Sequence, residues 1–265
     1  MVLSILIRYP RQSPERNKKF FEKKNQELTN LDWAKWGGWY DTDGWFSIWS
    51  PVSKYKCEKA VGLSLTDRQP VELFSKTFET SLRTQIKTTI TPEPYRKEYT
   101  VQVYRAELFA EKAEWFTQKV FPYLVKHEKK DYAAKLLENP PESKDFAEWT
   151  PEEVRNYLAT VVEGDGTIQC RSAKKTKNVV LRIKSSDPQY LSDLRHLTKD
   201  KLGVISTFRE EMTYETQEGT KTKYELYIHC SRKNSHNLDF VQSLVKQGVM
   251  TLDRKKQRIQ EFINQ

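Results

Sequence analysis

Cysteine is scarce in this chain, and its placement argues against two common kinds of cross-link. The 265 residues contain only three cysteines, Cys57, Cys170 and Cys230, which are scattered and form no CxxC pair. A disulfide framework needs an even set of cysteines, and a zinc ribbon needs closely spaced pairs. The sequence therefore predicts neither structure, and it predicts a protein of a reducing, intracellular compartment.

Several other signals of function are also missing. No apolar run approaches the roughly 20 residues of a membrane-spanning helix, and the first residues lack the pattern of a secretory signal. The four histidines have no HNH or HExxH spacing, and there is no glycine-rich phosphate loop or GxSxG pattern. The sequence thus gives no support for a membrane protein, a zinc protease, an NTPase or a serine hydrolase.

Basic and aromatic residues are abundant instead. The formal net charge is +9, and the chain contains seven Trp and thirteen Tyr residues. The aromatic content is typical of a folded protein rather than a basic disordered tail. A positive charge of this size favours a polyanionic partner, with nucleic acid first and an anionic membrane surface second. A generally basic surface is the plain alternative, so charge alone favours nucleic acid only modestly.

Two short stretches carry the same unusual pattern. Residues 36–44 read WGGWYDTDG and residues 158–166 read LATVVEGDG, so each runs to acid-x-Asp-Gly and then into a predicted strand. The last aspartates, Asp43 and Asp165, are 122 positions apart, which is about the size of one small domain. One such motif alone is more simply a helix end with an Asx turn. The matched pair indicates a duplication with two equivalent acidic sites, which we interpret as metal sites.

The order of predicted helices and strands also repeats along the chain. A basic N-terminal extension at 1–30, whose residues 9–30 are interpreted as a tail or an irregular helix, precedes a first repeat at 31–138. A proline-containing linker at 139–149 leads to a second repeat at 150–265. After the motif helices, strands are predicted at 45–50, 56–66, 98–105, 167–172, 178–185, 204–213 and 223–230, and helices at 69–82, 107–125, 128–138, 188–202, 235–247 and 252–264.

This order predicts an α+β fold of two tandem αββαββα repeats. Strands and helices do not alternate singly, so a parallel Rossmann sheet is not expected. Two antiparallel sheets, each backed by helices and related by a pseudo-twofold axis, fit the pattern and would form a saddle.

The two motifs and the repeated order resemble the LAGLIDADG homing endonucleases of the single-chain type, in which two repeats are fused. The resemblance covers about residues 31–265, and the segment FPYLVK at 121–126 is similar to the family's third-helix region. The first motif departs from the family spelling at Trp36 and Gly37, and the second at Glu163 and Gly164. Both departures keep the final aspartates, Asp43 and Asp165.

The resemblance implies that the two motif helices pack side by side at the centre of the molecule. Close packing needs small residues where the backbones meet. It also implies that each helix stops at a glycine, Gly44 or Gly166, which can take the positive φ of a helix end. The small residues available for the contact are Gly37, Gly38, Ala159 and Thr160.

The resemblance assigns Asp43 and Asp165 to metal binding and catalysis. Phosphodiester hydrolysis needs stabilisation of a developing charge and an activated water, and Mg²⁺ between carboxylate and phosphate supplies both. Mg²⁺ is the expected cofactor, and Mn²⁺ or Ca²⁺ is expected to replace it in binding. The preceding acids, Asp41 and Glu163, are expected to be structural.

A basic residue near the start of the last helix also acts in the family. Lys126 and Lys255 are the predicted catalytic lysines, with Lys129 and Arg254 as their alternatives, because the alignment is ambiguous by a few positions. The family places a polar residue at the end of the second strand to hold water near the metal. Asp67 and Asp187 occupy these positions here, and a carboxylate there is a departure.

The strands after each motif predict a DNA-reading surface, because successive side chains of a strand point to opposite faces. Leu181 and Ile183 are expected to face the helices, which leaves basic side chains on the other face for base edges in the major groove. The first repeat is less basic there, so the two half-sites are expected to be read unequally. The residues expected to contact DNA are Ser47, Trp49, Ser64, Gln169, Arg171, Arg182 and Lys184.

Three functions remain open for such a chain. The first is a site-specific, Mg²⁺-dependent endonuclease that acts as a monomer on a long, non-palindromic double-stranded DNA target. The second is an intron maturase, whose partner would be the host intron RNA. The third is a DNA-binding regulator that does not cut. The intact pair Asp43 and Asp165 favours the endonuclease.

Overall fold

The computed structural model describes residues 13–49, 58–90, 98–173, 176–216, 219–230, 235–246 and 249–263. The helices in these ranges are α1 (Pro14–Glu27), α2 (Asn30–Thr42), α3 (Arg68–Thr77), α4 (Ala110–Val120), α5 (His127–Leu136), α6 (Pro151–Gly164), α7 (Pro188–Leu202), α8 (Ser235–Lys246) and α9 (Asp253–Ile263). The strands are β1 (Gly44–Trp49), β2 (Glu58–Leu65), β3 (Arg83–Ile90), β4 (Glu98–Phe109), β5 (Gly166–Ala173), β6 (Thr176–Ser185), β7 (Ser206–Thr216) and β8 (Gly219–Cys230).

The strands form two four-stranded antiparallel sheets with matching topology. The first has the order β1-β2-β4-β3 and the second the order β5-β6-β8-β7. The register matches as well, because Gly44 pairs with Leu63 and Gly166 pairs with Ile183. The predicted α+β fold, with two antiparallel sheets backed by helices, is therefore confirmed. No described helix is long and apolar enough to cross a bilayer.

The helices start where the sequence supplies caps. The Thr29 hydroxyl accepts from the Asp32 N–H, and the Asp32 carboxylate accepts from the Thr29 N–H in return. Thr150 and Glu153 form the same reciprocal pair at the start of α6, where Pro151 takes the first helical position. Such pairs satisfy two of the backbone donors that the first turn leaves free.

The motif helices α2 and α6 pack directly against each other. The Thr160 hydroxyl of α6 donates to the Lys35 carbonyl of α2 over 3.0 Å. A Cβ added at Gly38 would collide with Thr160 Oγ1 and with the Tyr157 carbonyl oxygen. The side-by-side packing of the two helices is thus as expected. The bulky Trp36 of the first motif lies on another side of α2, where its ring contacts Phe74 at 5.4 Å between centroids.

We expect Gly38→Ala to destabilise the protein by about 1–3 kcal/mol, because the added methyl group overpacks the contact between the motif helices. Alanine in a helix interior is otherwise favoured over glycine by about 1 kcal/mol. The sign of the change in urea-unfolding free energy therefore separates the two effects. A more stable variant would contradict the close packing at Gly38.

Residues 14–27 form a regular helix, so the interpretation of the N-terminal extension as a tail or irregular helix is wrong for this part. Ser13 caps α1 by accepting from the Arg16 N–H. Phe20 is buried, and the Phe21 ring stacks on Trp115 of α4 at 5.4 Å between centroids. Two adjacent aromatic rings therefore attach this basic helix to the first repeat. Residues 1–12 lie outside the described ranges.

One strand of the first repeat was not predicted, and one predicted boundary is wrong. The strand that was not predicted is β3, at residues 83–90. β4 continues to Phe109, so α4 begins at Ala110 rather than at 107. Ala110 has a φ of 50°, and this left-handed residue is where the chain turns from strand to helix.

Candidate active site

The motif helices both end at an aspartate. Asp43 is the C-cap of α2 and Asp165 is the C-cap of α6, and each is followed by a glycine that begins a strand. Gly44 and Gly166 do not have positive φ, so that expectation is wrong. These positions are glycines because no side chain fits there. A Cβ at Gly44 would lie 2.6 Å from the Cα of Tyr40, and one at Gly166 would lie 2.6 Å from the Cα of Val162.

Asp43 lies against the end of the opposite motif helix. A Cβ at Gly164, the residue before Asp165, would lie 2.6 Å from Asp43 Oδ2. This oxygen is buried and makes no hydrogen bond within the described part of the chain. Burial, and then the nearby carboxylate of Asp165, raise the pKa of Asp43 to about 6. Burial also raises the pKa of Asp165.

The preceding acid of each motif has a structural position. The Asp41 carboxylate accepts from the Val125 N–H over 2.7 Å and from the Tyr157 hydroxyl over 2.5 Å. Glu163 accepts from the Leu252 N–H over 2.5 Å and also from the Thr251 N–H. Burial raises the pKa of Asp41 to about 6 and that of Glu163 to about 7. Each acid thus attaches its motif helix to the segment just before α5 or α9.

One lysine in each repeat binds the end of a motif helix. Lys129 Nζ donates to the Gly44 carbonyl over 2.5 Å, and Lys255 Nζ donates to the Gly166 carbonyl over 2.7 Å. The counterpart of Lys255 in the first repeat is therefore Lys129, the alternative named for Lys126, and a catalytic role for Lys126 stays a prediction. The Lys126 ammonium lies over the ring of Tyr190, 5.7 Å from its centroid, although its charge still lowers the pKa of Asp165.

Lys255 is also buried among helix-end carbonyls. Its ammonium donates to Val162 O over 2.7 Å and to Glu163 O over 2.5 Å. Burial lowers the pKa of Lys255 to about 8 and also lowers the pKa of Lys129. These lysines stabilise the backbone that carries the aspartates. Both are close enough for their positive charge to offset part of the rise in the pKa of Asp43 and Asp165 that burial causes.

The acids at the ends of the second strands are already engaged. Asp187 accepts from the Tyr190 N–H over 3.1 Å and so caps α7. Asp67 binds the guanidinium of Arg254 through two contacts of 3.0 and 2.6 Å. This ion pair joins the first repeat to α9 of the second repeat. Arg254, the alternative to Lys255, therefore serves a contact between the repeats, whereas Asp187 caps its own helix.

The residues present fit a hard divalent cation. Carboxylate oxygens are the ligands that Mg²⁺ prefers, and it usually keeps several waters. Asp43 and Asp165 provide two such carboxylates, and the unbonded Asp43 Oδ2 is the observation that leaves an acceptor oxygen for a cation. Within the described residues, no group of three or more His, Cys, Asp or Glu side chains is placed to hold a metal. A metal here would thus need phosphate and water oxygens to complete its coordination.

The pKa of Asp43 makes a prediction about stability. A carboxyl whose folded pKa is raised stabilises the fold below its unfolded pKa, near 3.8, and this stability is lost as the pH rises through about 6. Without divalent metal, we expect Asp43→Asn to gain stability over the natural protein by about 1–3 kcal/mol between pH 4 and pH 7.5. Urea unfolding in EDTA at both pH values measures it. A difference that does not change with pH would contradict the burial of this charge.

The predicted DNA-contacting residues lie on the face of each sheet turned away from the helices, which we call the outer face. Leu181 and Ile183 are fully buried against the helices, so the alternate residues of β6 are on the outer face. In the first sheet, Val61 and Leu63 of β2 are fully buried, and Ser64 and Ala60, the partner of Ser47, lie on the opposite face of the strand. The residues expected on this face whose side chains are described are Ser47, Ser64, Gln169, Arg182 and Lys184. The side chains of Trp49 and Arg171 lie outside the described set.

Residues 152–244 match the family model described as a LAGLIDADG-like domain. The second repeat is a LAGLIDADG-like domain. The resemblance inferred from the two motifs is thereby confirmed on the part of the chain that holds Asp165. No curated protein matches the sequence at a significant level.

One solved structure shows the same fold over nearly the whole chain, and two further similar structures have TM-scores under 0.5. The first is the homing endonuclease I-WcaI bound to its DNA recognition sequence, with a TM-score of 0.52, 13% identity and 96% coverage of both chains. The LAGLIDADG homing endonuclease I-GzeII in complex with its DNA target has a TM-score of 0.46, 11% identity and 88% coverage of both chains. Full-length DUF199/WhiA from Thermatoga maritima has a TM-score of 0.43 and 12% identity, and the match covers 93% of this chain and 65% of that one.

Proposed function

We propose that this protein is a site-specific DNA endonuclease of the homing type. It would bind a long, non-palindromic duplex as a monomer and make a staggered double-strand break by divalent-metal-dependent hydrolysis. The observation that supports this most directly is the placement of Asp43 and Asp165 at the ends of two packed helices, with Asp43 Oδ2 buried and unbonded. A structural helix cap does not need an oxygen in that state.

We assign a separate role to each group of residues at the site. Asp43 and Asp165 would hold the metal, which is taken to be Mg²⁺, with Mn²⁺ or Ca²⁺ replacing it in binding. When bound, the cation supplies charge stabilisation at the phosphate and lowers the pKa of a bound water. Lys129 and Lys255 hold the carbonyls beside the aspartates, so they fix where the carboxylates point. Asp41 and Glu163 keep each motif helix in place from within the core.

A single chain with two unlike repeats suits a target without symmetry. The corresponding outer-face positions differ, because Gly62 and Ser64 stand where the second repeat has Arg182 and Lys184. Each repeat can therefore read a different half-site. Two carboxylate centres, one for each strand, would give a double-strand break, and the family resemblance implies 3′ overhangs.

A cleavage selection on a library of randomised DNA tests the proposal. Purified protein is incubated with the library in Mg²⁺ and, in parallel, in EDTA, and the cut ends are sequenced. The expected result is one long sequence family, cut only in Mg²⁺, with a short 3′ overhang. Binding to duplex DNA without cutting in Mg²⁺ or Mn²⁺ would favour the regulator. Selective binding of an intron RNA would favour the maturase.

A further inference from the structure

Both sheets place an arginine at the same position of their edge strand. Arg83 of β3 pairs with Arg105, and Arg209 of β7 pairs with Glu225. Counted along the ladders from Gly44 and Gly166, Arg83 and Arg209 occupy equivalent positions in the two repeats. Both project from the outer face, where their side chains are 37% and 56% exposed, so a ligand on that face can reach them.

Each of these arginines forms an ion pair with a buried glutamate. Arg209 Nη2 lies 3.4 Å from Glu225 Oε2, and the Glu225 side chain is fully buried. Arg83 Nη1 lies 3.6 Å from Glu107 Oε2, and the Glu107 side chain is 9% exposed. The glutamates stand at non-equivalent positions, because Glu225 corresponds to Arg105 rather than to Glu107. The two repeats thus keep the arginine in place with different partners.

Neighbouring side chains contact the arginine or its glutamate in each repeat. In the second repeat, the Arg209 guanidinium lies 3.9 Å from the ring centroid of Tyr227, whose other neighbour is Arg182 at 5.1 Å. The Tyr227 hydroxyl and Lys184 both bind the Glu225 carboxylate. In the first repeat, Arg105 binds Glu107 through Nε over 2.7 Å, and its guanidinium lies 4.8 Å from the centroid of Trp45.

A buried carboxylate on this face is costly if the face serves only to attract phosphates. It removes positive charge from the surface, and a buried charge is tolerated only when it is well paired. What it provides is a fixed direction for a guanidinium, which lowers the entropy lost when a partner binds. A fixed, planar pair of N–H donors matches the O6 and N7 acceptors of guanine in the major groove, whereas phosphate contacts need no such orientation.

We propose that Arg83 and Arg209 each read a guanine, one in each half-site, and that Glu107 and Glu225 are positioning residues for them. Because the arginines occupy equivalent positions, the two G·C pairs should stand at equal distances from the centre of the target. This inference rests on the proposed DNA-binding function and deepens it. It does not require cleavage.

The experiment is a binding selection on randomised duplex DNA in EDTA. The natural protein should enrich a motif with two G·C pairs symmetric about its centre. Arg209→Gln should lower the preference for guanine at one of these positions by about 5- to 150-fold, and Arg83→Gln should do so at the mirror position. Each glutamate keeps other partners in these variants, namely Lys184 and Tyr227 at Glu225 and Arg105 at Glu107, so both variants should stay folded. Thermal unfolding checks this.

Glu225→Gln tests the positioning role, because this side chain is fully buried and is not proposed to contact DNA itself. It should lower the same guanine preference as Arg209→Gln by about 2- to 12-fold, because the guanidinium loses its fixed direction. It should also bind random DNA more tightly, since a negative charge is gone. Glu210→Gln is the matched control: it makes the same charge change on β7, but Glu210 pairs with Tyr224 on the helix side of the sheet. This control should keep the preference of the natural protein.

The outcomes separate the inference from the function on which it rests. If the natural protein enriches no duplex sequence, the proposed DNA-binding function fails, and the inference fails with it. If a motif is enriched but keeps its guanines in Arg83→Gln and Arg209→Gln, only the inference is overturned. A Glu225→Gln protein that melts earlier but selects the unchanged motif would show that the glutamate is merely structural.

Discussion

Asp43→Asn and Asp165→Asn are each expected to lower double-strand cleavage of the selected target by at least about 10²-fold, while duplex binding is retained. Each change replaces an ionisable carboxylate by a neutral amide that binds a divalent cation poorly. The carboxylates lie at the ends of α2 and α6, and neither is among the strand residues proposed to read DNA. Loss of cutting with intact binding is therefore the expected signature.

The measurement uses a supercoiled plasmid that contains the selected target, in Mg²⁺. Residual activity in either single variant should appear as nicked circles rather than linear DNA, because each centre is assigned to one strand. The control is Asp239→Asn, which removes an exposed carboxylate from α8 and should cut like the natural protein. Wild-type linearisation by Asp43→Asn or Asp165→Asn would falsify their assignment to metal binding.

Folding of the inactive variants is a necessary part of this result. Asparagine has nearly the shape of aspartate, and at Asp43 it removes a charge whose burial already raises the pKa to about 6. Asp43→Asn should therefore be at least as stable as the natural protein near pH 7. If both variants unfold, the aspartates are structural and the proposed chemistry loses its main support.

The duplicated motif allowed much of this site to be predicted from sequence. Acid-x-Asp-Gly twice, at domain spacing, predicted two helices that end near Asp43 and Asp165, and the family resemblance implied that these helices pack together. The structure has both helix ends there. The alternation around Leu181 and Ile183 predicted which side chains of β6 face the helices, and both residues are fully buried. Those signals are local, because they depend on residues that are close in the sequence.

The features that were missed depend on contacts between distant residues. β3 reads RTQIKTTI, and its described side chains are largely exposed, so no alternation between buried and exposed residues marks it as a strand. Arg83 was missed with it. The choice between Lys126 and Lys129 depends on where α5 begins relative to Gly44, and only the fold fixes that distance. The left-handed Ala110 that ends β4 has no sequence signal, because alanine does not favour that conformation.

The second large effect is expected at Asp41, two residues before Asp43. It is a loss of folding stability, whereas the first is a loss of cleavage by a folded protein. Asp41→Ala should destabilise the protein by about 3–5 kcal/mol, since two buried donors lose the carboxylate that accepts from them. These donors are the Val125 N–H and the Tyr157 hydroxyl, so the loss weakens the attachment of α2 both to the segment before α5 and to α6. Urea unfolding at pH 7 measures the change.

A double-mutant cycle with Tyr157→Phe identifies the cause. Phenylalanine removes the hydroxyl that Asp41→Ala would leave unpaired, so the double variant should be less destabilised than the sum of the two single variants. Strict additivity would mean that the hydrogen bond from Tyr157 to Asp41 contributes nothing. Asp41→Ala should thus lose cutting only as far as it loses folding, whereas Asp43→Asn should lose cutting while folded. That contrast separates the structural acid of the motif from the acid that we assign to metal binding.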